Sequence, residues 1–290
     1  MNNLTFLIAF LFANCPQTTL MGGSALSESD TLLVEKIPIR PKDGISGSEF
    51  AQRTITMSGA ERQRAALSEL RSGNIPEFLR RLKPVRLSHK DQMGKCITAT
   101  IWVTPDYLAI GSDDDFLRIP LTYPSAIIIA EEFGFILPTR KMVDAIYEQS
   151  TCRLKPQPLF PSFKMRSSEY YLKHQQKIEE QRLRAGCMLG DLISGHKKDV
   201  VLTNRLLSER DKIAIYGWHN QKDEPIQPLS TFHGTRYTDY SHGIRLVYQT
   251  VLINGEPRSI FEVLEDPLLA PALTYEGVIA KLRSLLRWEK

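Results

Sequence analysis

The chain lacks any run of basic residues interleaved with aromatics, and its 37 Lys and Arg are nearly matched by 33 Asp and Glu, for a formal charge of +4 over 290 residues. That removes the electrostatic footprint of a nucleic-acid-binding protein, while a mild positive charge still permits contact with anionic polymers such as cell wall. Cysteine is scarce: the four are Cys15, Cys96, Cys152 and Cys187, and no two form a C-x-x-C pair. A structural zinc site built on thiolates is therefore not expected. There is no glycine-rich strand-to-helix loop of the nucleotide-cradling kind, no internal repeat and no low-complexity tract. Long hydrophobic runs are missing too. The apolar stretch at residues 4–13 is too short to span a bilayer as a helix.

What is present is an ordinary globular composition, 42% hydrophobic and 24% charged, enough for a sizeable core. The short apolar run followed by Gly22, Gly23, Ser24 and Ala25 has the order of a signal peptide over residues 1–25, although no Lys or Arg precedes it. The expectation is a secreted or periplasmic protein with no stable membrane insertion. Cys15 is poorly flanked for lipid attachment. In an oxidising compartment one disulfide among Cys96, Cys152 and Cys187 is allowed, with one thiol left over; buried free cysteine is the alternative for each.

Residues 26–57 are rich in Pro, Gly, Ser and Thr and read as an extended arm. Ser58 and Glu61 have the spacing of a capping box, opening a helix that ends at Gly73. Lys95–Val103 alternates as a half-buried strand does, and Asp106–Ile110 and Phe116–Ile119 flank the acidic turn Gly111-Ser112-Asp113-Asp114-Asp115. Helices follow at Pro124–Phe133 and Thr139–Gln149. Three prolines between Leu154 and Ser162 preclude regular structure there. That divides the chain into an N-terminal lobe (58–153), a Pro-rich connection (154–166) and a C-terminal lobe (167–290). Ser167–Arg184 reads as a polar helix with Tyr170, Tyr171, His174 and Ile178 inward. Strands are expected at Asp199–Leu202, Lys212–Trp218 and Gly243–Ile253, the last closed by a turn at Asn254-Gly255. Ser259–Leu264 and Thr274–Leu286 read as closing helices. Because helices and strands come in runs, the expected class is α+β, with mixed or antiparallel sheet elements and flanking helices.

Four of the six histidines fall between residues 196 and 242: His196, His219, His233 and His242. Such groups bind metals, anions and transition states. In Ser194-Gly195-His196-Lys197-Lys198-Asp199, the His and Asp are possible metal ligands and a lysine can hold an anion. In Tyr216-Gly217-Trp218-His219, a strand end can aim the imidazole into a cleft, with Trp218 as a stacking surface; simple alternation instead puts Tyr216 and Trp218 on one buried face and His219 at the surface. The third segment, Thr231–Leu246, packs His233, Arg236, Asp239, Ser241 and His242 together before a strand. There Asp239 could orient an imidazole, His242 could act as acid or base, and Ser241 could be a nucleophile or a hydrogen-bond donor. The structural alternative is a loop in which Asp239 makes an Asx turn.

Ser241-His242-Gly243 with Arg245, after His233-Gly234-Thr235, resembles the active-site signature of L,D-transpeptidases, but the nucleophilic cysteine of that family is missing, so its thioester chemistry cannot run here. Ser194, His196, Asp199 and Trp218-His219 resemble the ligand order of zinc D-alanyl-D-alanine peptidases, with a His-to-Asp spacing shorter than that family uses. His196, Asp199 and His219 would still make a sound zinc set with an open position for water. Asp113–Asp115 offers carboxylates for Ca²⁺ or Mg²⁺, or a plain hairpin turn.

The expectation is a secreted hydrolase acting on a polymeric substrate of cell-wall or polysaccharide type, or on a small molecule. His219 and His242 would be the acid–base pair, with Asp239 and Ser241 beside them. Lys198, Trp218, Arg236 and Arg245 would hold substrate. His233 has the weakest claim of the four clustered histidines. The competing readings are a glycan- or peptide-binding module without catalysis and a zinc-dependent peptidase; oligomeric state is not legible.

Overall fold

The computed structural model describes residues 35–220 and 222–286. The expected leader and the start of the arm lie outside the described residues. The rest of the arm is not extended throughout: Ser46 caps a helix, α1 (Gly47–Arg53), by accepting from the Glu49 amide. Ser58 and Glu61 form the full reciprocal capping box at the start of α2 (Gly59–Arg71). A single 3₁₀ turn, Glu77–Arg80, follows.

Strands β1 (Lys83–Lys90) and β2 (Cys96–Val103) pair antiparallel along their whole length. β3 (Ala109–Gly111) and β4 (Phe116–Arg118) form the expected hairpin. Its acidic turn serves the fold: Asp113 accepts from the Phe78 amide, and Asp115 from the Ser48 amide and hydroxyl. Helix α3 (Tyr123–Phe133) ends on Gly134 in the left-handed region. Then come β5 (Phe135–Ile136), α4 (Arg140–Gln149), which Thr139 caps, and β6 (Cys152–Arg153).

After the irregular Pro-rich segment, Ser167 caps α5 (Ser168–Arg184), which buries Tyr171, His174, Gln175, Ile178 and Arg182. The remaining elements are short: β7 (Ile193–Ser194), β8 (Lys198–Val200), α6 (Arg205–Ser208), β9 (Ile215–His219), β10 (Pro225–Ser230), β11 (His242–Gly243), β12 (Val247–Tyr248), β13 (Thr250–Ile253), β14 (Glu256–Ser259), α7 (Ile260–Glu265) and α8 (Leu282–Leu286). The class is α+β. Among the described residues no helix is long and apolar enough to cross a membrane.

The main sheet and the larger hydrophobic cluster both draw on residues before and after the Pro-rich segment, and two expected elements need correction. β2 pairs with β1 but also with β12 and β13, so C-terminal strands complete a six-stranded sheet begun before the segment. One hydrophobic cluster runs from Ile37 to Leu285. The strand expected at Gly243–Ile253 is three pieces in two sheets. Between β11 and β12 the chain turns inward, where Arg245 donates to the carbonyls of Thr104 and Ile193. The helix expected over Thr274–Leu286 is reduced to α8, because Gly277 sits at φ 70 and breaks it.

The Cys152–Cys187 disulfide ties β6 to the segment after α5. Cys96 is disulfide-bonded as well, so no thiol is left over among the described cysteines.

Candidate functional site

The smaller sheet, in the order β10-β9-β8-β11, carries most of the clustered residues. β8 and β11 run parallel, pairing Lys198 with His242 and Asp199 with Gly243. Adjacent residues of a strand point to opposite faces. One face of this sheet therefore shows Lys198 and His242, and the other shows Asp199.

β9 breaks the alternation. Gly217 has φ 106 and Trp218 φ 58, two successive left-handed residues. For tryptophan this is an unusual conformation, and it re-aims both neighbours. The Trp218 ring lies against Lys198, whose Nζ is 4.7 Å from its centroid, and its Nε1 donates to the His196 carbonyl. His219 goes to the opposite face with Tyr216, edge-on to it at 6.3 Å, and stacks on Tyr147 at 3.8 Å. The simple alternation of Tyr216 with Trp218 does not hold. His219 and His242 are thus on opposite faces of the sheet, and the expected acid–base pair is not formed.

On the Lys198 face the segment Thr231–Leu246 converges as expected, with different partners. His242 is buried, with Nδ1 3.5 Å from the Thr238 hydroxyl and no partner for Nε2 among the described residues. His233 lies 6.3 Å from the His242 ring and stacks on Tyr237 at 4.0 Å, while Tyr237 packs against His242 at 5.8 Å. His233, the weakest candidate by sequence, is the histidine that accompanies His242. Asp239 makes the Asx turn: one oxygen accepts from the Ser241 amide and hydroxyl, the other from the Tyr237 hydroxyl at 2.8 Å. Ser241 is buried and its hydroxyl is given to Asp239 at 2.6 Å within the Asx turn, with no histidine bonded to it among the described residues. Arg166 stands over the Tyr237 ring at 5.3 Å, and Arg236 is exposed at the rim.

The electrostatics follow from burial. Burial pushes the His242 imidazole down to about 4; Asp239 opposes this, while Lys198, His233 and Lys197 reinforce it. Lys198, half-buried, is lowered by desolvation against the pull of Asp239. No hydrogen bond or ion pair reaches its ammonium among the described residues. Burial alone would raise Asp239, but His242 and hydrogen bonds from Ser241 and Tyr237 hold it below its ordinary value.

The other expected residues are placed elsewhere. Arg245 is fully buried, with Cζ 4.4 Å from the Tyr107 ring centroid, and does not reach a substrate surface. Asp199 accepts from the Tyr107 hydroxyl at 2.8 Å, and burial raises its carboxyl to about 7. His196 is buried 3.4 Å from Asp106, which is paired with Arg118 at 2.6 Å. The proposed zinc set does not assemble: Asp199 and His219 share one face of the sheet, but Asp199 is bonded to Tyr107 and His196 is engaged with Asp106. Among the described residues no three His, Cys, Asp or Glu side chains are arranged to hold a metal ion, the acidic hairpin turn included. Lys197, buried, donates to the Tyr240 carbonyl, and burial lowers it to about 7.

Sequence reasoning missed Tyr237 and Arg166. Tyr237 had a signal, since it sits between His233 and Asp239 in the same dense segment. Arg166 had none, because a long-range approach brings it there. The chain matches no protein-family model, no curated protein and no solved structure.

Proposed function

We propose that the protein is a secreted hydrolase working by general acid–base chemistry, with a polysaccharide or cell-wall polymer bearing anionic groups as its substrate. The reading is carried by one juxtaposition: a buried imidazole, His242, whose Nε2 has no partner among the described residues, shares a sheet face with a half-buried ammonium, Lys198, that feels the pull of Asp239 but makes no ion pair among them. Ordering such groups together is costly unless a ligand completes them. His242 enters the reaction neutral, so its nitrogen can take a proton from an attacking water. Lys198 would stabilise the oxyanion that develops. Tyr237 and His233 hold the imidazole by ring contact, and the Trp218 ring packs against Lys198. Arg166 and Arg236 give a basic rim suited to an anionic polymer. Secretion is supported by the N-terminal apolar run and by the Cys152–Cys187 bridge, since disulfides persist in oxidising compartments.

The test is release of soluble fragments from peptidoglycan and from acidic polysaccharides by the full chain. His242→Ala should lower turnover by about 10²–10⁴-fold, the usual worth of a positioned acid–base group. Lys198→Ala should lower kcat by about 10²–10³-fold. Because the neutral imidazole is the active form, activity should fall as pH drops through about 4. Turnover that survives His242→Ala, or none on any polymer, overturns the reading.

A further inference from the structure

On the opposite face of the smaller sheet lies an open cleft of about 570 Å³, lined by α4, β9 and the loop that leads into β10. It falls within the roughly 300–1,000 Å³ typical of small-molecule sites. One face of α4 supplies Arg140, Asp144, Tyr147 and Glu148, spaced so that they project together. Arg153, His219, Asp223 and Tyr275 complete the lining.

Two observations point to a ligand. First, His219 is only 4% exposed, lines the cleft, and has no hydrogen bond from either ring nitrogen among the described residues. Its ring is fixed by the Tyr147 stack, and the left-handed Gly217-Trp218 pair aims it. Its ring nitrogens are not sealed from the cleft, so both remain available to a ligand there. Second, the charged groups are held by rings and hydroxyls. Asp144 accepts from the Tyr216 hydroxyl at 2.7 Å, and Asp223 from the Tyr147 hydroxyl at 2.6 Å. Arg140 lies over the rings of Tyr216 and Tyr275, and Arg153 over that of Tyr147. A polar surface of this kind is already ordered before anything binds, which reduces the entropy cost of recognition.

The charge pattern selects the chemistry. Along α4 the signs run Arg140, Asp144, Glu148, with Arg153 next to them. A small anion drawn to Arg140 meets Asp144 four residues on, and a small cation drawn to Asp144 meets Arg140. Hydroxyl groups have no such conflict, because each donates to a carboxylate and accepts from a guanidinium. The imidazole of His219, which burial keeps neutral, likewise offers one donor and one acceptor. Tyr275, 59% exposed at the mouth, presents a ring for the C–H face of a sugar.

We propose that this cleft binds a neutral oligosaccharide, at a site separate from the Lys198–His242 face. It stands whether or not that face is catalytic. The experiment is titration calorimetry of the full chain with chitotetraose, cellotetraose and maltotetraose, with a zwitterionic tripeptide as the charged comparison. At least one neutral sugar should bind with a Kd of about 1 mM or tighter. Arg140→Ala and Tyr275→Ala alter exposed side chains, so both variants should keep the wild-type melting temperature while weakening that binding about tenfold or more. Lys198→Ala should leave it unchanged. Binding should also shift the His219 ring resonances in the NMR spectrum of the wild-type protein. Failure of all three sugars, binding of the tripeptide alone, or sugar binding that both cleft variants leave intact overturns the proposal. Loss of sugar binding in Lys198→Ala would place the sugar on the other face and overturn it too.

Discussion

Gly243 shows how one residue type can be required by packing and not by dihedral angles. A Cβ at this position would lie 2.5 and 2.7 Å from carbons of the Tyr107 ring and 2.8 Å from Lys197 Cβ. The ring cannot retreat easily, since Arg245 lies over it at 4.4 Å and its hydroxyl is committed to Asp199. Gly243→Ala should therefore destabilise the fold by about 1–3 kcal/mol, the range for overpacking a close-packed interior. Urea unfolding measures this. A variant as stable as the wild type would mean that Tyr107 is free to move, and Asp199 would then lose its fixed donor. The glycine next to His242 keeps β11 close to β8, which places Lys198 and His242 side by side.

At the scale of elements, the legible parts were those whose causes are local. The Ser58–Glu61 capping box, the Thr139 cap and the hairpin around Gly111–Asp115 each depend on residues a few positions apart, and each formed where the spacing required. What escaped was long-range. The inward turn at Arg245 splits one apparent strand because carbonyls of Thr104 and Ile193, far away in sequence, accept from it. The site suffered for a different reason: two left-handed residues in β9 reverse the faces of Trp218 and His219, and no alternation rule anticipates a tryptophan at φ 58. The side chains of the dense segment Thr231–Leu246 do pack together, His233, Tyr237 and His242 by ring contact and Asp239 through Tyr237. The Cys152–Cys187 bridge adds a testable element-level constraint. It closes a segment of 35 residues that holds the Pro-rich stretch and all of α5. Replacing both cysteines by alanine should lower stability by about 3–4 kcal/mol on the chain-entropy account. Reductant should lower the wild-type melting temperature by more than that of the double variant, which keeps only the Cys96 bridge; a Cys152–Cys187 bridge that can be removed without effect would mean that α5 is held by its apolar contacts alone.

Across the whole molecule, buried titratable groups set two opposing pH slopes. His196 and His242 are held neutral, both lowered to about 4, with burial the main cause. Unfolded, they would titrate near 6.5, so the unfolded chain takes up their protons first as pH falls. Their contribution to stability is complete above about 6.5 and is lost on descending through about 4. Asp199 runs the other way. Its folded carboxyl sits near 7, raised chiefly by burial and against the pull of Arg245, while its unfolded value is near 3.8. It costs the fold nothing in acid, and an increasing amount as pH rises from about 4 through about 7. Asp199→Asn removes only this second slope. Whatever constant offset the amide introduces, the variant should gain on the wild type by about 3–4 kcal/mol between pH 4 and pH 8, taking about 1.4 kcal/mol per pKa unit. Urea titrations of both proteins at a series of pH values measure the difference directly. A gap that stays flat across this range would mean that Asp199 is ionised at little cost, with Arg245 and the Tyr107 hydroxyl compensating its burial.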